Sequence, residues 1–176
     1  MADLNTEIKA YRRFLDDLPS IVADTIIDWV LDNFESQSYE GVPWPDRKEP
    51  DSSRALLIGE RGGTGRRSIR VTSRSKKQVT IGTDLDYMIA HNEGARISMD
   101  ITPKMRRFFW AMHFQYEVNQ DGTLKVPEDK VKWKWMALKK GRITFNMPQR
   151  QFLGPSKELD MKISEAIEQR LKPIFT

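Results

Sequence analysis

Hydrophobic residues recur at helical spacing near both ends of the chain. Between residues 19 and 35 they return every three or four positions, while Asp24, Asp28 and Asp32 fall on the opposite side. This pattern predicts an amphipathic helix with Pro19 in its first turn. A weaker helical pattern covers residues 6–15. Near the other end, Ser156 is placed to cap a helix whose apolar stripe comprises Leu159, Ile163, Ala166, Ile167 and Leu171.

Short segments of strict alternation lie between these helices. Residues 69–72 and 78–81 alternate apolar and polar side chains on either side of SRSKK, which predicts a β-hairpin with one buried face. Residues 142–147 predict a third strand with Ile143, Phe145 and Met147 facing inward. The chain is therefore predicted to be α+β, with a small antiparallel sheet packed by a long amino-terminal helix and a carboxy-terminal helix.

Two connections before the middle of the chain have their own signals. Residues 36–54 are rich in Pro, Ser, Gly and charge, which predicts an irregular loop that Trp44 pins onto the core. Asp84 is placed to cap a short helix over residues 84–94, and Gly94 is placed to end it.

Two aromatic segments follow. Residues 103–116 are apolar around much of a helix, so they are either deeply buried or meet another chain. Residues 127–141 predict a helix that carries Val131, Trp135 and Leu138 on one face and lysines on the others.

Composition limits the class of protein. A chain of 176 residues with 39% hydrophobic and 31% charged residues predicts one globular domain, residues 1–176. The absence of cysteine excludes disulfides, thiolate metal sites and a cysteine nucleophile. No apolar run approaches the ~18 residues of a spanning helix. The first residues lack a secretory pattern, so we expect synthesis and folding in a cytoplasm and no membrane contact.

Positive charge is unevenly placed along the chain. The net charge is only +4, but residues 61–83 hold seven Lys or Arg and no acid. This segment is either a solvated strand edge or a site for a polyanion. The candidate DNA-facing residues are Arg66, Arg67, Arg70, Arg74, Lys76 and Lys77.

The glycine-rich stretch GERGGTGRRSIR, residues 59–70, suggests a phosphate site that its details do not support. A P-loop needs Lys and Ser or Thr after its last glycine, whereas Arg66 and Arg67 follow Gly65. A dinucleotide site needs a helix after the glycines, where we predict a strand.

Other catalytic motifs are also incomplete. His91 and Glu93 match the H-x-E of zinc deaminases, but that site needs cysteine ligands. No serine lies in a G-x-S-x-G setting. We therefore expect no enzyme activity, no cofactor and no metal. On the residues alone, an assembly subunit and a nucleic-acid-binding protein are nearly equal alternatives.

The order of several short motifs adds a resemblance. G-V-P-W is followed by L-x-x-G, R-R-S-I, Y-M-I-A-H-N-E-G and, after an insertion, M-P-Q-R-Q-F-L-G-P-S. This series resembles the phage virion-morphogenesis family, the tail-completion proteins of contractile-tailed phages, over residues 31–171. Met88 stands where that family usually has Ala, Ala90-His91 is displaced by one position, and residues 96–141 form a longer insertion. The residues that carry the resemblance are Trp44, Gly59, Arg67, Ser68, Ile69, Tyr87, His91, Gly94, Pro148, Arg150, Phe152, Leu153 and Gly154.

The resemblance implies a structural function without catalytic residues. Such a protein completes the phage tail and joins it stably to the head. It would form a homo-oligomeric ring, commonly hexameric, with other tail and neck proteins as partners. Made in the bacterial cytoplasm, it would end in the virion. A ring would also bring the basic hairpin near the DNA channel, so contact with DNA phosphates is a secondary expectation. The glycine stretch is then the loop that leads into the first hairpin strand.

Overall fold

The chain forms two compact units. The computed structural model describes residues 4–46, 55–57, 63–115, 117–118, 124–125 and 127–175. Unit 1 is formed by Met1–Ala95 with Pro148–Thr176, and unit 2 by Arg96–Met147. Unit 2 takes in the segment predicted as an insertion, residues 96–141, together with the strand that follows it. Helices combine with small two-stranded sheets, so the predicted α+β class is confirmed.

Unit 1 begins with one long helix. Helix α1 (Leu4–Ser36) joins the two predicted helical segments and runs through Pro19, so the predicted start at Pro19 is wrong. A proline inside a helix removes one backbone hydrogen bond, and contacts must compensate for it. Here Phe14 is buried on the amino-terminal side, and Lys76 Nζ lies 2.9 Å from Asp16 Oδ1. Arg74 Nη1 donates to Ser20 Oγ at 2.9 Å.

Short elements follow α1 in unit 1. They are β1 (Ser38–Tyr39), β2 (Val42–Pro43), α2 (Thr64–Arg67), β3 (Arg70–Arg74), β4 (Val79–Gly82), α3 (Asp86–Glu93) and, after unit 2, α6 (Lys157–Leu171). The β1–β2 pair lies in the segment predicted to be irregular. The predicted hairpin is confirmed as antiparallel β3 and β4, with a register shift between Val71 and Ser73.

Two local predictions in unit 1 are wrong. The glycine stretch was expected to lead directly into a strand, but it leads first into the single turn α2 and only then into β3. Gly63, with φ 81°, starts this turn, and the Ser68 hydroxyl closes it by donating to Gly65 O at 2.7 Å. Asp84 does not cap α3; it pairs with Arg70 at 3.3 Å, and the Thr83 hydroxyl accepts from Leu85 N at 3.1 Å.

The core of unit 1 lies between α1, α6 and the loops. Trp29, Val30 and Phe34 of α1 are buried beside Trp44 and Phe152. Helix α6 begins at Ser156, whose hydroxyl accepts from Leu159 N at 3.2 Å, so the predicted cap is confirmed. Leu159 lies in the core near the end of α1, whereas Phe175 packs against Tyr11 near its start. Helices α1 and α6 are therefore antiparallel.

Unit 2 contains a helix pair and two two-stranded sheets. Its elements are β5 (Ala95–Asp100), α4 (Pro103–His113), β6 (Glu117–Val118), β7 (Leu124–Lys125), α5 (Glu128–Leu138) and β8 (Arg142–Met147). Strand β5 pairs with β8, and β6 pairs with β7. The β5–β8 pair is antiparallel, because Ile101 N donates to Gly141 O while Ser98 contacts Thr144.

Aromatic rings fill the contact between α4 and α5. Phe109 is buried and stacks on Trp133 with ring centroids 5.9 Å apart, and Ala137 is also buried. Val131, Trp135 and Leu138, predicted to share one face of this helix, are exposed on the outside of α5. Phe145 of β8, predicted to face inward, is exposed.

Candidate functional site

The motif residues of the loop after β2 are anchored in the core. Trp44 packs edge-to-face on Phe34 with centroids 5.4 Å apart, and its Nε1 donates to Gln151 O at 2.7 Å. The buried Arg150 guanidinium donates from Nε to Pro45 O at 2.9 Å and from Nη2 to Asp46 O at 3.2 Å. Carbonyl oxygens thus satisfy a buried cation that would otherwise be costly.

The carboxy-terminal part of α3 holds the same segment from the other side. The Asn92 side-chain oxygen accepts from Phe152 N at 3.0 Å and from Leu153 N at 2.9 Å. His91 O accepts from Arg150 N at 2.7 Å. We call Trp44, His91, Asn92, Arg150 and Phe152 the motif hub. It brings together motifs that lie more than 100 positions apart in the sequence.

His91 is the titratable group of the motif hub. Burial, followed by the positive charge of Arg150, lowers the pKa of His91 below its usual range. Its Nδ1 is buried and has no hydrogen-bond partner among the described residues. Across the same residues no three His, Asp or Glu side chains are grouped as a metal site would require.

Two further motif residues, Tyr87 in α3 and Gly94 directly after it, lie in different surroundings. Gly94 has φ 72°, and a Cβ there would lie 3.2 Å from Gln149 Cβ, so glycine suits both the backbone angle and the contact. Tyr87 does not join the hub, because its side chain is 47% exposed. The neighbouring Met88 is fully buried instead, and a Cβ on Gly65 would overlap its Sδ. Gly65 therefore makes room for Met88.

The remaining motif residues are spread over unit 1. Ile69 lies in the core, and the Ser68 hydroxyl is 2.6 Å from Thr83 Oγ1. Pro148 follows the end of β8. A side chain on Gly154 would overlap the Gln151 amide and approach Tyr39 Oη at 3.2 Å. Arg67 is exposed at the end of α2, and Gly59 lies outside the described residues.

The basic hairpin β3–β4 is largely engaged within unit 1. Besides Lys76 with Asp16 and Arg74 with Ser20, Arg70 pairs with Asp84 and Arg66 Nη1 lies 3.6 Å from Glu35 Oε1. Four of the six candidate DNA-facing side chains thus contact oxygens of the same unit. These pairs are mostly exposed, so each is worth only about 0 to 1 kcal/mol. Two of them, from Arg74 and Lys76, join the hairpin to α1.

Asn92, Asn33 and Met88 are the structural residues that the sequence did not indicate. Asn33 is buried in α1 and donates from Nδ2 to Phe152 O at 3.2 Å, which completes the pairing of the Phe152 backbone. Asn92 stands inside the quoted Y-M-I-A-H-N-E-G string, but no local pattern indicates a role for its amide. In the part of the chain that the structure describes, no helix combines the length and the apolar character needed to cross a membrane.

Comparisons with known proteins do not add a relative. The chain matches no protein-family model, no curated protein and no solved structure.

Proposed function

We propose that the protein is a structural subunit of a tailed phage or prophage that completes the tail and joins it to the head. The resemblance in motif order motivates the proposal. The observation that carries it is the motif hub. The side chains of Trp44 and Arg150 donate to the backbone oxygens of Gln151 and Pro45. Arg150 N donates to His91 O, and Phe152 N donates to the Asn92 side-chain oxygen. Motifs whose polar groups are hydrogen-bonded within the domain stabilise its fold. This is expected for an assembly protein without catalytic residues.

The outer face of α5 supports a role in assembly. Val131, Trp135 and Leu138 are 39%, 70% and 51% exposed, and their spacing places them on one side of the helix. Tryptophan is enriched at the energetic centres of protein interfaces. We propose that this face contacts a second copy of the chain in a ring, commonly hexameric in the family it resembles, at the head-proximal end of the tail.

Electron microscopy of phage lysates tests the function. The parent phage lacking this gene should yield full heads and separate tails, and supplying the gene in trans should restore joined virions. Joined virions in the absence of the gene would contradict the proposal.

A pair of variants tests the α5 face in the same assay. Trp135→Glu should fail to restore joining, because it places a charge in the contact, while its thermal stability stays near that of the wild type. Met161→Glu is the control, since Met161 is an exposed apolar residue of α6 outside this face. Equal complementation by both variants would remove α5 from the interface.

A further inference from the structure

Positive charge is concentrated in unit 2 and not in the chain as a whole. Unit 2, Arg96–Met147, contains 11 Lys or Arg and 5 Asp or Glu, a net charge of +6. The rest of the chain contains 18 Lys or Arg and 20 Asp or Glu, a net charge of −2. The modest total of +4 therefore hides a strongly basic unit, and a basic patch within one compact unit is typical of proteins that bind polyanions.

The fold of unit 2 gathers several cations at one end of its helix pair. Arg106 near the start of α4 donates to Ala137 O and, at 3.3 Å, to Lys139 O near the end of α5. At the opposite end of the pair, His113 Nδ1 lies 3.3 Å from Lys130 O. The helices are therefore antiparallel, and the first turn of α4 lies beside the last turn of α5.

Four exposed cations surround this end: Lys104, Arg107, Lys139 and Lys140, which we call the cationic end. Among the described residues none of the four forms an ion pair, and the neighbouring acid Asp100 is engaged by Arg142 at 3.7 Å. The basic hairpin differs, because most of its cations contact oxygens of unit 1.

Helix stability does not explain the cations of α4. Its first turn contains no acid, and Lys104 lies in that turn, where the helix dipole disfavours positive charge. Lys139 and Lys140 follow the carboxyl end of α5, where the dipole favours cations. Lys104 thus reduces helix stability slightly, and an anionic ligand would offset that cost.

An exposed aromatic ring lies next to the cationic end. Phe108 follows Arg107 and is 53% exposed. Cations that track a phosphate backbone, combined with rings on which bases stack, are typical of nucleic-acid-binding surfaces. A helix that binds a membrane surface would instead carry its cations along the polar side opposite an inserted apolar face.

We propose that the cationic end of unit 2 binds the phosphate backbone of DNA, with Phe108 contacting bases or sugars where these are accessible. The inference does not rest on the proposed role in head-to-tail joining. It moves the expected DNA contact from the β3–β4 hairpin to the helix pair. Neutralising four phosphates predicts that log K falls with log salt at a slope of about −3 to −4.

Two matched charge reversals test the proposal on the full chain. K139E/K140E changes the cationic end, and K76E/K77E changes the hairpin turn by the same four units of charge. Binding to a short labelled DNA duplex of arbitrary sequence, and to one of its single strands, is measured by fluorescence anisotropy over a salt series. K139E/K140E should weaken binding at least tenfold and reduce the salt slope by about 2. K76E/K77E should change the affinity less than about twofold, because it leaves all four cations of the cationic end in place.

A second double variant of the cationic end keeps the test valid if K139E/K140E impairs folding. K104Q/R107Q removes the cations of α4 without reversing charge and should also weaken binding, with an unchanged circular dichroism spectrum. Equal losses in the cationic-end and hairpin variants would mean that net charge alone governs binding and would overturn the proposal. So would a flat salt response, or binding to phosphatidylserine vesicles in the absence of DNA binding.

Discussion

Replacing Asn92 by Ala removes one oxygen that accepts from two backbone N–H groups, those of Phe152 and Leu153, at 3.0 and 2.9 Å. A buried donor left unpaired costs about 1 to 3 kcal/mol, so the pair would cost about 2 to 6 kcal/mol. Ala has a better helix propensity than Asn, which offsets roughly 0.5 kcal/mol of this loss within α3. A cleft of about 250 Å³ lined by Asn92, Phe152 and Leu153 admits water to these groups, which favours the lower end of the range. We expect a loss of about 2 kcal/mol in the free energy of unfolding.

Two measurements check this value. Urea unfolding gives the global loss, and hydrogen exchange by NMR reports the two amides directly. If the hub opens locally, exchange at Phe152 and Leu153 should accelerate about 30-fold for 2 kcal/mol. Asn92→Asp is the control, because it keeps an oxygen in the same position and should preserve the slow exchange of both amides. An Asn92→Ala protein with wild-type stability and wild-type exchange would refute the assigned role of this side chain.

Three other substitutions probe the core and the titration of unit 1. Phe152→Ala should cost about 3 to 5 kcal/mol by denaturant unfolding, because Phe152 is buried against Phe34; an unchanged midpoint would contradict this. Gly65→Ala should cost about 1 to 3 kcal/mol through overlap with Met88, a loss that Met88→Ala in the same chain should reduce if the overlap is the cause. The lowered pKa of His91 means that the unfolded chain binds the proton more readily, so stability should be full above pH ~6.5 and fall as pH drops towards the folded-state pKa. His91→Gln should flatten that part of the thermal-stability profile, and a profile identical to that of the wild type would contradict the assignment.

The helices show where local patterns are sufficient and where they are not. The apolar face around Trp29 and Phe34 and the Ser156 cap follow from spacing and side-chain chemistry within a few residues, and both were predicted correctly. Proline favours the first turn, so the local pattern predicts a helix start at Pro19. The helix instead continues through it, and residues more than 50 positions away contact α1 on both sides of Pro19: Lys76 pairs with Asp16, and Arg74 donates to Ser20. No local pattern contains that information.

The candidate site also depends partly on local sequence patterns and partly on contacts between residues that are distant in the sequence. The strings around His91 and Arg150 lie in segments that the structure brings into contact. The role of Asn92 depends on the backbone of Phe152 and Leu153, which lies against its side chain. In α5 the apolar spacing of Val131, Trp135 and Leu138 is real but lies on the outside, because Trp133 and Ala137 occupy the contact with α4. Periodicity identifies an apolar face without identifying what covers it.

Substitutions in unit 1 and in unit 2 are expected to have different effects, because the side chains compared below are hydrogen-bonded in unit 1 and exposed in unit 2. In unit 1 the Arg150 guanidinium donates to Pro45 O, and the Asn92 side-chain oxygen accepts from Phe152 N. Substitutions there should lower stability, and any loss of function should follow the loss of folded protein. Exposed Trp135 and Lys140 of unit 2 make no comparable contact among the described residues, so their substitution should alter joining or DNA binding while stability is preserved. A unit 2 variant that loses function only by unfolding would show that its exposed residues serve the fold, and both proposals built on them would fail together.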